Sequence, residues 1–234
     1  MKIEIWSDVI CPFCGLGAKR LEHALEQFEH RDQVQVVHRS FELDATYPVG
    51  ETALVREKLK VKYGLTAEQV AANSARIEAD AAAEGLQPYH VHDNRFGNTA
   101  LAHQLLIHAA AEGLGDQAWA QTYEAYFGGM RDIFTIDALV DLGVEIGLKA
   151  DDVREVLTDG RYAATVKADT AEAQQLGASG VPFIVIDRRY GIAGAQSTAT
   201  MLDTIRTAWQ EQQPAIVTVG DQGADSCGPE GCAV

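Results

Sequence analysis

Two cysteines, Cys11 and Cys14, stand three positions apart in the stretch SDVICPFCGLG. A second pair, Cys227 and Cys232, closes the chain in CGPEGC, and there is no fifth cysteine. A C-x-x-C pair can form a reversible disulfide or donate half of a zinc site. The residues around the first pair favour redox chemistry. Residues 2–7 alternate Ile3 and Ile5 against Glu4 and Trp6, as a strand does. From Pro12 to about Glu29, apolar residues fall at Phe13, Leu16, Leu21, Leu25 and Phe28, as on one helix face. Proline suits the first position of a helix, where its missing N–H costs nothing. Cys11 is therefore expected at a helix N-terminus. There, free N–H groups and roughly half a unit of positive charge favour a thiolate. Such placement lowers a cysteine pKa from about 8.5 into the range of about 3.5–7.5. Cys14 is expected one turn on, on the same face and deeper. The asymmetry assigns roles: Cys11 attacks a disulfide and Cys14 resolves the mixed disulfide.

A second motif, SGVPFIV at 179–185, opens another strand at Val181–Pro182. Proline at a strand start gives up no ladder bond. A cis peptide at Pro182 would turn the Val181 backbone towards Cys11, and an extended segment there can pair with a substrate chain. Pro12, Phe13, Val181 and Pro182 are the expected substrate-contacting residues.

These residues must be positioned by a frame. Residues 34–41 read as a second strand, so the N-terminal part is a βαβ unit with a right-handed crossover. Segments 52–63, 66–84, 98–112, 116–128, 135–146, 150–158 and 161–176 read as helices, without a strand between 52 and 177. Thr66 with Gln69, and Thr135, are N-cap signals. Residues 181–194 read as a hairpin around Asp187–Arg188–Arg189, and a last helix covers about 197–212. The fold class is α/β: a small mixed sheet with helices on both faces and a large helical insertion. Expected domains are 1–50 with 178–213, an insertion at 51–177, and a flexible tail at 214–234.

Composition sets outer limits. The chain has 234 residues, 47% of them hydrophobic, enough for a packed core. A net charge of −15 argues against nucleic acid and anionic membranes as partners. No run resembles a secretory signal or a membrane span, so a cytoplasmic setting is expected. A structural disulfide is rare in that setting.

Taken together, Cys-Pro-Phe-Cys after the first strand, NTALAH at 98–103, and GVPFIV followed by GAQ at 194–196 resemble the DsbA family of thioredoxin-fold oxidoreductases, within it the cytoplasmic FrnE-like branch. The resemblance spans about residues 2–210. It implies a thioredoxin-like fold, thiol–disulfide oxidoreductase activity and a cis-proline loop at Pro182. Many relatives carry tryptophan where Phe13 stands. Relatives that act as chromene-carboxylate isomerases or kappa-type glutathione transferases usually begin the motif with serine, whereas this chain has Cys11. The expected substrates are disulfide-containing proteins or small thiols. No bound cofactor is expected, and glutathione or a thioredoxin system is the expected electron donor.

Other residues have two readings. Cys227 and Cys232 flank a turn tight enough for the roughly 4.4–6.8 Å Cα spacing of a disulfide. They read as a second redox pair, with a four-thiolate metal site as the rival. A thiol-based metal or oxidant sensor and a glutathione-linked isomerase are the alternative functions. Asp8 can relay protons to Cys14, although capping of the strand end is the simpler account. His38 and Arg39 read as structural, and His90 and His92 as surface histidines. Asn98 and Thr99 read as a helix cap with a packed His103 behind it. Trp6, Trp119 and Trp209 read as core or groove residues.

Overall fold

The computed structural model describes residues 1–212 and the backbone of 227–228 and 231–232. Strand β1 (Lys2–Ser7) leads into helix α1 (Pro12–Glu26) and returns as β2 (Gln35–Ser40). Strands β5 (Phe183–Ile186) and β6 (Tyr190–Ala193) complete one sheet in the order β2-β1-β5-β6. β1 runs parallel to β2 and antiparallel to β5, and β6 is antiparallel to β5. The hairpin corner holds Asp187 and Arg188 at positive φ, 47° and 56°. Asp187 is tied back to the first strand through the Lys2 N–H, 2.7 Å from its carboxylate.

Alternation in β1 divides the core. Ile3 and Ile5 pack with Leu21, Leu25 and Phe28 of the α1 region and with Met201 and Ile205 of helix α9 (Thr198–Gln212). Trp6 points the other way, with Phe41, Phe183, Val185 and Ala173 of helix α8 (Ala163–Gln175). The helix before the hairpin thus covers the sheet's second face. The Trp6 indole donates to the Asp169 carbonyl at 2.9 Å.

Glu4 shares Trp6's face and is only 1% exposed. Its carboxylate accepts hydrogen bonds from Arg39 of β2, from Arg188 at the hairpin corner, and from Lys2. Burial alone would raise its pKa, but the three cationic partners outweigh it and hold the group at about 2. A carboxylate depressed on folding adds stability above its unfolded pKa, which is lost as pH falls through the folded one. The window here runs from about 4.5 down to about 2. At neutral pH the contribution is about 2–3 kcal/mol, allowing for the partly exposed arginines. Urea melts of wild type and Glu4→Gln should differ by that amount at pH 7 and converge near pH 2. A pH-independent difference would exclude this account.

The remaining helices form a bundle over the C-terminal end of β1. They are α2 (Val55–Tyr63), α3 (Ala67–Ala83), α4 (Ala100–Ala111), α5 (Gly115–Tyr123), α6 (Ile136–Ile146) and α7 (Ala150–Asp159). The Thr66–Gln69 capping box forms, and Thr135 accepts from the Ala138 N–H. Two features depart from the sequence expectation. Strands β3 (Thr52–Leu54) and β4 (Arg95–Gly97) pair antiparallel in the stretch read as wholly helical. Three-residue strands carry too little alternation to register. Helix α5 also does not run on regularly to 128, because Glu124–Gly128 is a π-helical segment. In the chain's last residues, Cys227 and Cys232 are register partners of a two-residue ladder, β7 (Cys227–Gly228) with β8 (Gly231–Cys232). The expected mobility of the tail and the side chains of this cysteine pair lie outside the described residues. No helix among the described residues is long and apolar enough to cross a membrane.

Candidate active site

The site forms where β1 ends and α1 begins. Cys11 is the N-cap of α1, with extended backbone (φ −82°, ψ 112°) and Pro12 starting the helix. Its N–H bonds to the Asp8 carbonyl at 3.1 Å, which closes the turn out of the strand. The positive end of the helix dipole therefore opens at Cys11. Cys14 N–H donates to the Cys11 carbonyl at 2.9 Å, placing the second cysteine one turn inside. Both are free thiols. Cys11 is 4% exposed and Cys14 fully buried, so the order of access is the expected one. Burial is the largest effect raising the Cys14 pKa, with its hydrogen bond to Cys11 adding to it. The Asp8 N–H opposes this by facing the Cys14 sulfur, whereas the Asp8 carboxylate charge raises it further. The thiol form of Cys14 is therefore favoured.

The second strand pair brings the other motif alongside. The Val181–Pro182 peptide is cis. The Cys11 thiol donates to the Val181 carbonyl at 3.5 Å. Pro182 is itself buried, and its ring lies over Gly17 of α1, where a Cβ would come within 2.8 Å of its Cγ. Gly194 N–H bonds to the Pro182 carbonyl at 2.9 Å, and Arg20 of α1 reaches the Ala195 carbonyl at 2.8 Å. So 180–182 and 194–196 are braced against each other and against α1. Phe13, 37% exposed, stands at the rim with the half-buried Val181. Together with Leu16, Arg76 and Ala195 they line a shallow depression of about 360 Å³.

One supporting residue, Tyr89, escaped the sequence reading. Tyr89 donates its hydroxyl to the Pro12 carbonyl at 2.6 Å and stacks on Phe127 at 4.4 Å. It fixes the first turn of α1 from outside, which is why Gly15 beneath it has no room for a Cβ. Tyr89 follows a cis Gln87–Pro88 peptide in an irregular loop, where no periodicity marks it. Asp8 and His103 are both fully buried, 3.4 Å apart. The Asp8 carboxylate also accepts from the Leu43 N–H at 2.7 Å, which ties the exit of β2 to the site. Thr99 caps α4 without a side-chain bond, and Asn98 accepts from the Ala100 N–H instead.

His38 and His92 lie apart from the thiols. His38 stacks on Trp119 (5.3 Å), and burial lowers its pKa to about 4 despite the Asp116 carboxylate nearby. His92 pairs with Asp93 at the surface. Among the described residues, no cluster of three or more histidines, cysteines or acids could hold a metal ion.

Comparison with known proteins agrees with this geometry. The profile of the DsbA-like thioredoxin domain matches residues 2–206. A probable DsbA oxidoreductase of Streptomyces coelicolor superposes with a TM-score of 0.88 at 44% identity, over 100% of this chain and 99% of that one. The cytosolic disulfide reductase DsbM of Pseudomonas aeruginosa, solved with glutathione, is 19% identical with a TM-score of 0.59, over 90% and 100% of the two chains, and shares the fold. The uncharacterised protein YwbO of Bacillus subtilis is 26% identical over 160 residues, 68% of this chain and 73% of its own. With its cysteine pair at the mouth of α1 and its cis-proline loop alongside, the chain belongs to the DsbA-like thioredoxin-domain family and is a thiol–disulfide oxidoreductase.

Proposed function

We propose that this thiol–disulfide oxidoreductase reduces or isomerises disulfides in a cytoplasmic, reducing setting, with Cys11 as nucleophile and Cys14 as resolving thiol. One observation carries the reading: two free thiols one helical turn apart, the outer one facing the Val181 carbonyl. Cys11 attacks a substrate sulfur, the substrate disulfide breaks, and its first thiolate leaves. Cys14 then attacks Cys11, the second substrate thiolate leaves, and the enzyme is left as the Cys11–Cys14 disulfide. A thiol donor restores the dithiol, and glutathione, with which the fold relative DsbM was solved, is the donor proposed. Pro12, Phe13, Val181 and Pro182 form or brace the surface that meets the substrate.

Cys227 and Cys232 are proposed as a second redox pair that passes electrons to the first. Their register partnership in β7 and β8 supports this. The test is reduction of insulin with glutathione as donor. The Cys227→Ser/Cys232→Ser chain should turn over about three- to tenfold more slowly, while a single turnover of prereduced enzyme keeps its rate. Unchanged steady-state turnover would remove the tail from the scheme. Insulin left unreduced by wild type, with zinc retained through purification, would favour the metal-sensor alternative.

A further inference from the structure

The phenol of Tyr89 lies against the first turn of α1, and the scheme above gives it no part. Its hydroxyl donates to the Pro12 carbonyl at 2.6 Å. The helical insertion holds the side chain in place for that contact. Its ring stacks on Phe127 at 4.4 Å, and the next residue, His90, donates its N–H to the Phe127 carbonyl at 2.7 Å. Tyr89 is buried. Burial, and after it the Cys11 and Cys14 charges, raise its pKa, so it stays a phenol and keeps the proton it donates. Gly15 leaves the space for it. A Cβ there would lie 2.5 Å from the hydroxyl oxygen, but 3.4 Å and 3.5 Å from the ring carbons behind it.

The Pro12 carbonyl and the Phe13 N–H are the two ends of one peptide unit. A donor on the carbonyl oxygen draws electron density through the conjugated amide and makes its N–H more positive. Such polarisation strengthens the next hydrogen bond in a chain by about 10–30%. In a helix the first N–H groups point out of the N-terminal mouth, here at Cys11. Pro12 has no N–H, and that of Cys14 bonds to the Cys11 carbonyl at 2.9 Å. Phe13 supplies the remaining N–H of the first three helical residues. As a thiol, Cys11 donates to the Val181 carbonyl. As a thiolate it no longer donates, and the N–H groups at the helix mouth are what stabilise its charge. We propose that Tyr89 is a positioning residue that stabilises reduced Cys11 through the Pro12–Phe13 peptide, and so makes the Cys11–Cys14 disulfide easier to reduce. This rests on the redox roles given above to Cys11 and Cys14.

One equilibrium reads the effect. Two glutathione thiols reduce the Cys11–Cys14 disulfide: the S–S bond of the enzyme breaks, that of glutathione disulfide forms, and two electrons and two protons pass to the cysteine pair. Ionisation of Cys11 to a stabilised thiolate then pulls the equilibrium further to the reduced side. Weakening one charge-assisted hydrogen bond by the fraction above moves the equilibrium constant about threefold, or about 14 mV for a two-electron couple. Gly15→Ala reaches the same contact from the other side, because its methyl displaces the hydroxyl oxygen from Pro12. In a chain that already lacks that oxygen, the methyl meets only the ring carbons, at ordinary van der Waals distance, and has nothing to displace.

The test equilibrates the full chain with glutathione buffers of fixed thiol-to-disulfide ratio and measures the reduced fraction. Cys227→Ser and Cys232→Ser are present throughout, so that only the first pair reports. Tyr89→Phe keeps the ring that stacks on Phe127 and should lower the constant for reduction about threefold. Gly15→Ala should lower it too. The double variant Gly15→Ala/Tyr89→Phe should match Tyr89→Phe alone, since both changes remove one contact. A hydrogen bond that only anchors α1 would lower the melting temperature and leave the constant where it was. An unchanged or raised constant in Tyr89→Phe therefore overturns the proposal. So does a double variant whose shift is the product of the two single ones, because the methyl would then act elsewhere. If Tyr89→Phe does not fold, Gly15→Ala decides by the same readout, and a wild-type constant overturns the proposal. A wild-type chain that forms no Cys11–Cys14 disulfide with glutathione disulfide would instead refute the redox roles of the two cysteines, and the proposal with them.

Discussion

Replacing Cys11 by serine should lower disulfide-reductase turnover by at least about a thousandfold, and replacing Cys14 should do so in a different way. Removing a nucleophile costs orders of magnitude because the remaining groups cannot form the covalent intermediate. A serine hydroxyl at the mouth of α1 is not ionised near neutral pH and does not exchange with sulfur. Cys14 cannot substitute, since it is fully buried while Cys11 retains 4% exposure. Cys14→Ser keeps the attacking sulfur and loses the resolving one. The mixed disulfide should then accumulate, and a substrate peptide should appear covalently attached to Cys11 in a mass spectrum without reductant. The measurement is turnover on insulin together with intact mass after mixing with a disulfide peptide. Turnover within tenfold of wild type for Cys11→Ser would sink the mechanism. Near-normal turnover for Cys14→Ser, with glutathione resolving the adduct, would transfer the reaction to the monothiol route of the isomerase alternative.

The chemistry of the first pair was legible because it is local. Strand alternation, Pro12 at the first helical position and two cysteines one turn apart are all written within a dozen residues. The GVP loop was legible by its motif, and the capping box at Thr66–Gln69 by its spacing. What stayed hidden is long-range. Glu4 reads as the polar side of an alternating strand, yet Arg39 of the neighbouring β2 and Arg188 at the hairpin corner bury and neutralise it. His103 reads as a packed histidine on α4, and Asp8 as the end of a strand; only the packing of α4 against the mouth of the sheet makes them a pair. Tyr89 is an unremarked aromatic in a loop until its hydroxyl is found on Pro12. Periodicity reports which face of an element is buried, not which polar group waits on the other side.

The same long-range packing gives the second large effect, at Gly17. In the interior of an exposed helix, glycine to alanine stabilises by about 1 kcal/mol, because alanine loses less backbone entropy. Gly17 is buried, and an added Cβ would lie 2.8 Å from Cγ of Pro182 and 3.6 Å from Cα of Ala195. A proline ring has no free end to swing aside, so the clash moves backbone. α1 is held on its far side by Leu21, Ala24 and Leu25 against α9, which leaves the Pro182 loop as the part that gives. That loop carries the Val181 carbonyl facing Cys11. The helix gain and the packing loss oppose each other, so the melting temperature of Gly17→Ala should move by only a few degrees. Turnover should fall about a hundredfold, the scale that a misplacement of about 1 Å costs an oriented reaction. Thermal melts and insulin reduction on the same preparation would measure both. Activity within twofold of wild type would mean that the contact between α1 and the proline loop does not set the geometry of attack.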